Sequence, residues 1–222
     1  TGMGFSVERQ TVELLPIIKR QNGEKRSRFV IPDSREGWAD ALAHGLETWS
    51  SGQDGEFDYS QIRPQGARLK TMGGRASGPE PLRRLLEFVR QKMLTRQGRR
   101  LATIDVHDII CKIGEVVVAG GVRRSALISL SDLTDQEMRE AKNGQFYLTH
   151  PERSMANNSS VYDEKPALSD FLNEWLNLVK SGSGERGIFN RGSLRHQLPV
   201  RRWKVMAPAR ASTEPWVPGT NP

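Results

Sequence analysis

The stretch from Val116 to Leu130 constrains the fold more than any other part of this 222-residue chain. An apolar pattern with helical spacing runs into Gly120-Gly121, and an apolar run typical of a strand follows Arg123-Arg124-Ser125. Adjacent glycines allow a close approach of the backbone to a ligand, and the arginines and serine supply donors for phosphate groups or base edges. The stretch predicts a helix, a glycine-hinged basic loop and a strand. For the loop alone, a glycine helix cap followed by solvated arginines is the simpler interpretation.

Composition indicates a globular domain, or part of one, with a basic tail. The net charge is +7, and residues 195–222 carry five Lys or Arg and one Glu, so this tail contributes +4. A nearly balanced body favours a nucleic-acid partner less than a uniformly basic one does. The single cysteine, Cys111, excludes an internal disulfide framework, and the four histidines show no metal-ligand spacing with it. We therefore expect no metal site.

Targeting signals are not visible in the sequence. No apolar run approaches the roughly 20 residues of a membrane helix, and no signal peptide opens the chain. We therefore expect a cytoplasmic protein without a membrane partner.

Periodicity predicts helices alternating with strands. The firmest helix is Pro79–Gln97, with five apolar residues on one face, and others are predicted from Asp105 to Val118, from Leu168 to Ser181 and after a cap at Asp33 or Ser34. Thr134 to Glu137 resembles a capping box. Predicted strands are Phe57–Ile62, Ala126–Leu130, Asn157–Tyr162 and Ile188–Asn190, and Gly2 to Gly4 is interpreted as a turn delivering a strand. This alternation favours a parallel α/β arrangement.

Cys111 falls on or near the buried face of the second helix. No neighbouring pattern marks it as a nucleophile, so we expect an inert core cysteine. From Arg195 onward the chain is Pro-rich and basic without periodicity, which predicts an extended segment. The expected division is therefore 1–194 and 195–222.

Six motifs in order resemble those of ribonucleotide reductases. They are Gly2-Met3-Gly4-Phe5-Ser6, Asp33-Ser34-Arg35-Glu36-Gly37-Trp38, Ile62-Arg63-Pro64, Gly73-Gly74-Arg75-Ala76-Ser77-Gly78-Pro79, Ala119-Gly120-Gly121-Val122-Arg123-Arg124-Ser125 and Asn221-Pro222. The adenosylcobalamin-dependent (class II) ribonucleoside-triphosphate reductases are the group that the sequence resembles most. This resemblance implies a partial ten-stranded α/β barrel, with 1–194 as about the first half-barrel and 195–222 leading to the finger loop that carries the radical cysteine.

The resemblance also implies site residues. Asn221 would be the active-site asparagine that bonds the substrate ribose, and Asn221 and Pro222 match the start of the family's Asn-Pro-Cys-Gly-Glu motif. Gly2 falls where the backbone approaches the substrate. The specificity loop between effector and substrate would comprise Gly120, Gly121, Val122, Arg123, Arg124 and Ser125. Arg63 and Lys70 fall near the effector site of dimeric relatives.

The implied reaction converts ribonucleoside triphosphates to 2′-deoxyribonucleotides by thiyl-radical chemistry. The implied cofactor is adenosylcobalamin, and the implied partners are a ribonucleoside triphosphate substrate, a deoxynucleotide effector, thioredoxin or a similar dithiol, and the remaining C-terminal half of the enzyme. The radical cysteine and the reducing pair are absent, so the isolated chain is expected to be inactive. An arbitrary truncation and an intein junction after Pro222 both fit the end of the sequence.

Two other functions stay open. One is a fragment of the large subunit of a class I (diiron) ribonucleotide reductase. The other is a non-catalytic basic module that binds nucleic acid through a tail containing Trp203 and Trp216.

Overall fold

The structure is a computed structural model that describes residues 2–69, 74–119, 126–182 and 184–201. The helices are α1 (Arg9–Val12), α2 (Arg35–Ser50), α3 (Glu80–Thr95), α4 (Thr103–Ala119), α5 (Gln136–Glu140), α6 (Phe146–Thr149), α7 (Leu168–Ser181) and α8 (Leu194–Gln197). The strands are β1 (Gly2–Ser6), β2 (Phe29–Val30), β3 (Phe57–Asp58), β4 (Ala126–Asp132), β5 (Ala156–Tyr162) and β6 (Gly187–Asn190). Single 3₁₀ turns span Pro151–Met155 and Arg191–Ser193.

All strand pairs in the described part of the chain are parallel. β1, β4, β5 and β6 form one sheet in the order β1-β4-β5-β6, and β2 pairs with β3 in a separate two-stranded sheet. Parallel neighbours require crossover connections, which α5 and α6 supply between β4 and β5 and α7 supplies between β5 and β6. The predicted parallel α/β arrangement is confirmed.

Helices of the described chain cover one face of the four-stranded sheet. Cys111 of α4 packs against Leu127 and Ala156, and Met138 of α5 packs against Val7 beyond the end of β1. The opposite face is exposed at its amino end. A doubly wound sheet would carry helices on both faces, whereas a barrel carries them only outside, so the one-sided cover agrees with a partial barrel.

A second hydrophobic cluster is built on α2 and α3. The five apolar residues predicted to face inward from α3 are all buried there, namely Leu82, Leu85, Leu86, Val89 and Met93. Ile109 of α4 joins this cluster, while Cys111 faces the sheet. α4 thus lies between the two cores and connects them.

Several local predictions need correction. The strand expected over Phe57–Ile62 ends at Asp58, since Ile62 turns back and its N–H donates to Tyr59 O at 3.0 Å. Gly2 and Gly4 lie inside β1 rather than in a turn before it.

The helix caps correct one prediction and confirm another. Asp135 caps α5 in place of Thr134, because Asp135 Oδ1 accepts from Met138 N at 2.9 Å. Ser34, one of the two residues proposed to cap α2, accepts from Gly37 N at 2.9 Å. The segment expected to be extended from Arg195 begins inside α8, and residues 202–222 lie outside the described chain.

Candidate functional site

The amino ends of β1 and β4 meet at the sheet edge to which the sequence assigned a ligand. Gly2 pairs in register with Ala126, the residue that immediately follows the proposed specificity loop. The loop itself, Gly120–Ser125, lies outside the described residues, but α4 ends at Ala119 on one side of it and β4 begins at Ala126 on the other. The start of β1 and the first residue after the loop therefore lie side by side.

Next to this edge, one row of residues crosses the uncovered face of the sheet. Gly4 pairs with Ile128, and Ile128 pairs with Asn157. All three residues are exposed, and the Ile128 side chain is 48% exposed although its neighbours Leu127 and Ser129 are buried. The strand pleat thus presents an apolar side chain, an amide and an open glycine position on the same side.

A buried polar network lies on the other face, between β5 and α4. His107 Nε2 donates to Asn158 Oδ1 at 2.9 Å, and His107 Nδ1 lies 3.3 Å from Asp108 Oδ1. Arg153 donates to both oxygens of Asp108, at 2.8 and 3.0 Å, and Lys92 donates at 2.8 Å. Burial alone would raise the pKa of Asp108, but the hydrogen bonds from His107, Arg153 and Lys92 outweigh it and hold this pKa well below its usual range.

Cys111 is the buried neighbour of this network. Its sulfur lies 3.7 Å from His107 Nε2, and burial, followed by the charge of Asp108, raises the pKa of its thiol to about 12. The thiolate that a nucleophile requires is thus strongly disfavoured. The expected buried cysteine is confirmed. Its neighbour His107, which precedes it by one helical turn, has no sequence pattern that marks this contact.

One arginine links residues that follow three strands at the carboxyl edge of the sheet. Arg191 donates to both oxygens of Glu8, at 2.8 and 2.9 Å, and to both oxygens of Asp163, at 2.7 and 2.6 Å. The hydrogen bonds that Arg191 donates to Asp163 and to Glu8 raise its pKa above the ordinary value. Because these three residues follow β1, β5 and β6, the contact fixes strand ends that are far apart in sequence.

Asp108, His150 and Glu152 offer possible metal-ligand atoms within 4.8 Å of one another. Both oxygens of Asp108 already bind the cationic groups of Arg153 and Lys92. A metal ion would have to displace these cations, so the arrangement of the three side chains favours ion pairs over metal binding.

Arg63, one of the two predicted effector residues, follows Ile62 of the second cluster. Arg63 Nε donates to Asp33 Oδ2 at 2.6 Å, and each side chain is about one-third exposed. The guanidinium is therefore already engaged by a carboxylate of the same unit. Lys70, and likewise Asn221 and Pro222, lie outside the described residues.

A groove of about 570 Å³ lies at the carboxyl edge beside α5. Its lining mixes charges and hydroxyls, among them Arg9, Asp132 and Thr103, and Thr103 Oγ1 donates to Asp135 Oδ2 at 2.6 Å. Pockets of roughly 300–1,000 Å³ suit drug-sized ligands. A corrinoid is considerably larger, and its propionamide side chains call for many amide partners, so the groove does not fit adenosylcobalamin.

Comparisons with known proteins connect both cores to one family. Residues 16–93 match the insertion domain of B12-dependent ribonucleotide reductases. The adenosylcobalamin-dependent ribonucleoside-triphosphate reductase of Lacticaseibacillus paracasei is 35% identical over 92% of this chain, which covers 27% of that protein. The enzyme of the same name from Lactobacillus delbrueckii subsp. bulgaricus is 35% identical over the whole chain, which covers 33% of it.

A solved structure extends the match to three dimensions. A crystal structure of a B12-dependent (class II) ribonucleotide reductase superposes on 84% of this chain with a TM-score of 0.71 and 30% identity, and the chain covers 30% of it. The chain belongs to the class II ribonucleotide reductase family. It spans about a third or less of the length of the reductases that it matches.

The class II reductase match also bears on the organisation of the chain. The insertion-domain match, 16–93, contains α2, most of α3 and the small β2–β3 sheet, and thus most of the second cluster. The division expected from the sequence, 1–194 and 195–222, does not set this stretch apart. Among the described helices of this reductase chain, none has the length and apolar composition needed to cross a bilayer.

Proposed function

We propose that this chain is part of an adenosylcobalamin-dependent ribonucleotide reductase that converts ribonucleoside triphosphates to 2′-deoxyribonucleotides. The observation that carries the proposal is the register between Gly2 and Ala126 in a parallel sheet with helices on one face. It pairs the strand start that we assign to substrate with the residue that follows the loop that we assign to specificity. The family match over nearly the whole chain supports the same reaction.

The proposed roles divide between backbone and side chains. At Gly2 the absent side chain lets the backbone approach the substrate closely. Asn221 offers amide donors and a carbonyl acceptor, so it can hold a ribose hydroxyl, and Pro222 restricts the backbone of Asn221 to extended conformations. Arg123 and Arg124 would supply the donors of the loop Gly120–Ser125, and Arg63 and Lys70 would contribute to effector binding.

Adenosylcobalamin would supply the radical chemistry when bound. Because the groove beside α5 does not fit a corrinoid, we propose that other parts of the enzyme hold most of the cofactor. We likewise propose that the deoxynucleotide effector, the thioredoxin-type dithiol and the remaining C-terminal half are partners of the complete protein, in the cytoplasm.

The test is an assay of the complete polypeptide encoded by the gene. We expect formation of deoxynucleotides from ribonucleoside triphosphates with adenosylcobalamin and a dithiol, and none without the cobalamin. Activity that required a diiron partner subunit instead would support the class I alternative. If the complete protein reduced no nucleotide but its 195–222 segment bound single-stranded DNA in a salt-dependent manner, the nucleic-acid alternative would replace our proposal.

A further inference from the structure

The row Gly4, Ile128 and Asn157 is placed to meet a ligand at the proposed substrate edge. Strands lie about 4.8 Å apart and rise about 3.3 Å per residue, so the row spans about 10 Å and lies about 7 Å from the level of Gly2 and Ala126. Because side chains alternate along a strand, Gly4 presents the same face as Gly2. The row is therefore continuous with the backbone proposed to approach substrate.

Gly4 leaves space that no described residue uses. A Cβ atom added there would meet no heavy atom within 4 Å. Glycine in a strand interior costs conformational entropy and often marks a close approach by a ligand or another backbone. The packing of the described chain thus gives no reason for the missing side chain at Gly4.

The direction of Asn157 is fixed by its neighbour in β5. The Asn158 side chain accepts from His107 at 2.9 Å beneath the sheet, and Asn158 N donates to Glu185 Oε2 at 3.0 Å. These contacts hold the amino end of β5 and direct Asn157 to the opposite, open face. Within the described residues no hydrogen bond engages the Asn157 amide, which leaves a donor and an acceptor for another molecule.

We infer that Asn157 is a substrate-contact residue and that Gly4 and Ile128 form the floor under the same ligand. This inference rests on the proposed reductase function. The row carries no charge, so it suits the nucleoside part of a ribonucleotide rather than the triphosphate. Asn157 hydrogen-bonds the nucleoside, the Ile128 side chain packs against its ring atoms, and Gly4 keeps the space above β1 free.

The experiment measures kcat and KM of the complete reductase for each ribonucleoside triphosphate. Asn157→Ala removes the amide, and we expect KM to rise about fivefold to tenfold, the equivalent of one hydrogen bond, with a smaller change in kcat. Gly4→Val fills the open space, and we expect kcat/KM to fall by about 100-fold or more while the melting temperature does not decrease. Asn173→Ala, which changes an exposed asparagine on α7, is the matched control and leaves both constants unchanged.

The outcomes separate this inference from the proposed function. An unmodified protein that reduces no nucleotide refutes the reductase proposal itself. If the unmodified enzyme is active and Asn157→Ala and Gly4→Val lower kcat with KM unchanged, the face contacts another protein segment and the inference is wrong. Unchanged constants in both variants refute it as well. A KM effect that differs among the four nucleotides assigns the contact to the base, and a uniform effect assigns it to the ribose.

Discussion

Asn158 of β5 accepts a hydrogen bond from His107 of α4, 2.9 Å away, although 51 residues separate the two in sequence. Both side chains are buried, so neither has access to water as a substitute partner. The contact joins the sheet to the helix that also packs on the insertion domain. It also determines which of two consecutive asparagines faces inward.

The Asn158–His107 contact predicts a stability difference between neighbouring variants. Asn158→Ala leaves the buried Nε2 of His107 without its hydrogen-bond partner and should lower the free energy of unfolding by about 1–3 kcal/mol. Asn157→Ala changes an exposed residue and should alter it by less than about 0.5 kcal/mol. Urea denaturation of this chain measures both. Equal losses in the two variants would show that β5 is not oriented as described.

Arg191 should contribute more to stability than the exposed ion pairs. Its guanidinium is almost fully buried between Glu8 and Asp163, so Arg191→Ala leaves Glu8 as a buried, uncompensated charge. We expect a loss of about 3 kcal/mol in urea denaturation. Arg84→Ala breaks a pair with Glu80 that is more than half exposed, and should cost less than about 0.5 kcal/mol. A loss at Arg191 no larger than at Arg84 would contradict this ranking.

The lowered pKa of Asp108 predicts how the stability of the chain depends on pH. Its pKa is lowered in the folded chain below an unfolded value of about 3.9, so its contribution is complete above about pH 5 and is lost as the pH falls through the lower folded pKa. The stability difference between the unmodified chain and Asp108→Asn should therefore be constant between about pH 5 and 7 and shrink below about pH 4. Chemical denaturation across this range measures the difference. A difference that grew in acid would reverse the assigned direction.

The sequence predicted elements whose patterns are local. The apolar residues of α3 from Leu82 to Met93 are buried, as their helical spacing predicts. Ser34 caps α2 by accepting from Gly37 N, which lies within the first turn of the same helix. Contacts between residues far apart in the chain could not be predicted from such local patterns. Arg191 and Glu8 are 183 residues apart, and no pattern in either neighbourhood identifies the other.

Amphipathicity alone also failed to show what α7 buries. The predicted helix is present and ends at Ser181, followed by a Gly182 cap with a positive φ, but Leu168, Trp175 and Val179 are exposed. Glu174 is buried instead, where Arg186 and Arg139 donate to its carboxylate. Apolar spacing identifies a helix face without specifying its partner. The candidate site was likewise predicted from motifs, while the open row beside it emerged only from strand register.

Cys111 should be chemically inert in the folded chain. Its thiol is fully buried and has a pKa raised to about 12, so iodoacetamide near neutral pH should modify it only after unfolding in urea. In the complete enzyme, Cys111→Ala should reduce stability but retain turnover. Rapid modification of the native chain, or loss of turnover with unchanged stability, would assign Cys111 a chemical role.

A substitution of Arg123 tests the role of the proposed specificity loop. The loop connects α4 to β4 in sequence, and Ala126, the first residue after it, pairs with Gly2. We therefore expect a change in loop conformation to affect the proposed substrate edge. A loop hinged on two glycines can occupy two arrangements that a ligand biases, provided that the ligand interacts differently with each. We expect Arg123→Ala in the complete enzyme to change the relative reduction of the four nucleotides, at a fixed effector, more than it lowers the highest rate. Arg63→Ala, which removes a residue proposed for effector binding, should weaken the effector response without changing the order of substrates measured in the absence of effector. Competition assays with all four ribonucleotides measure both properties, and an equal loss for every substrate in Arg123→Ala would remove this loop from substrate selection.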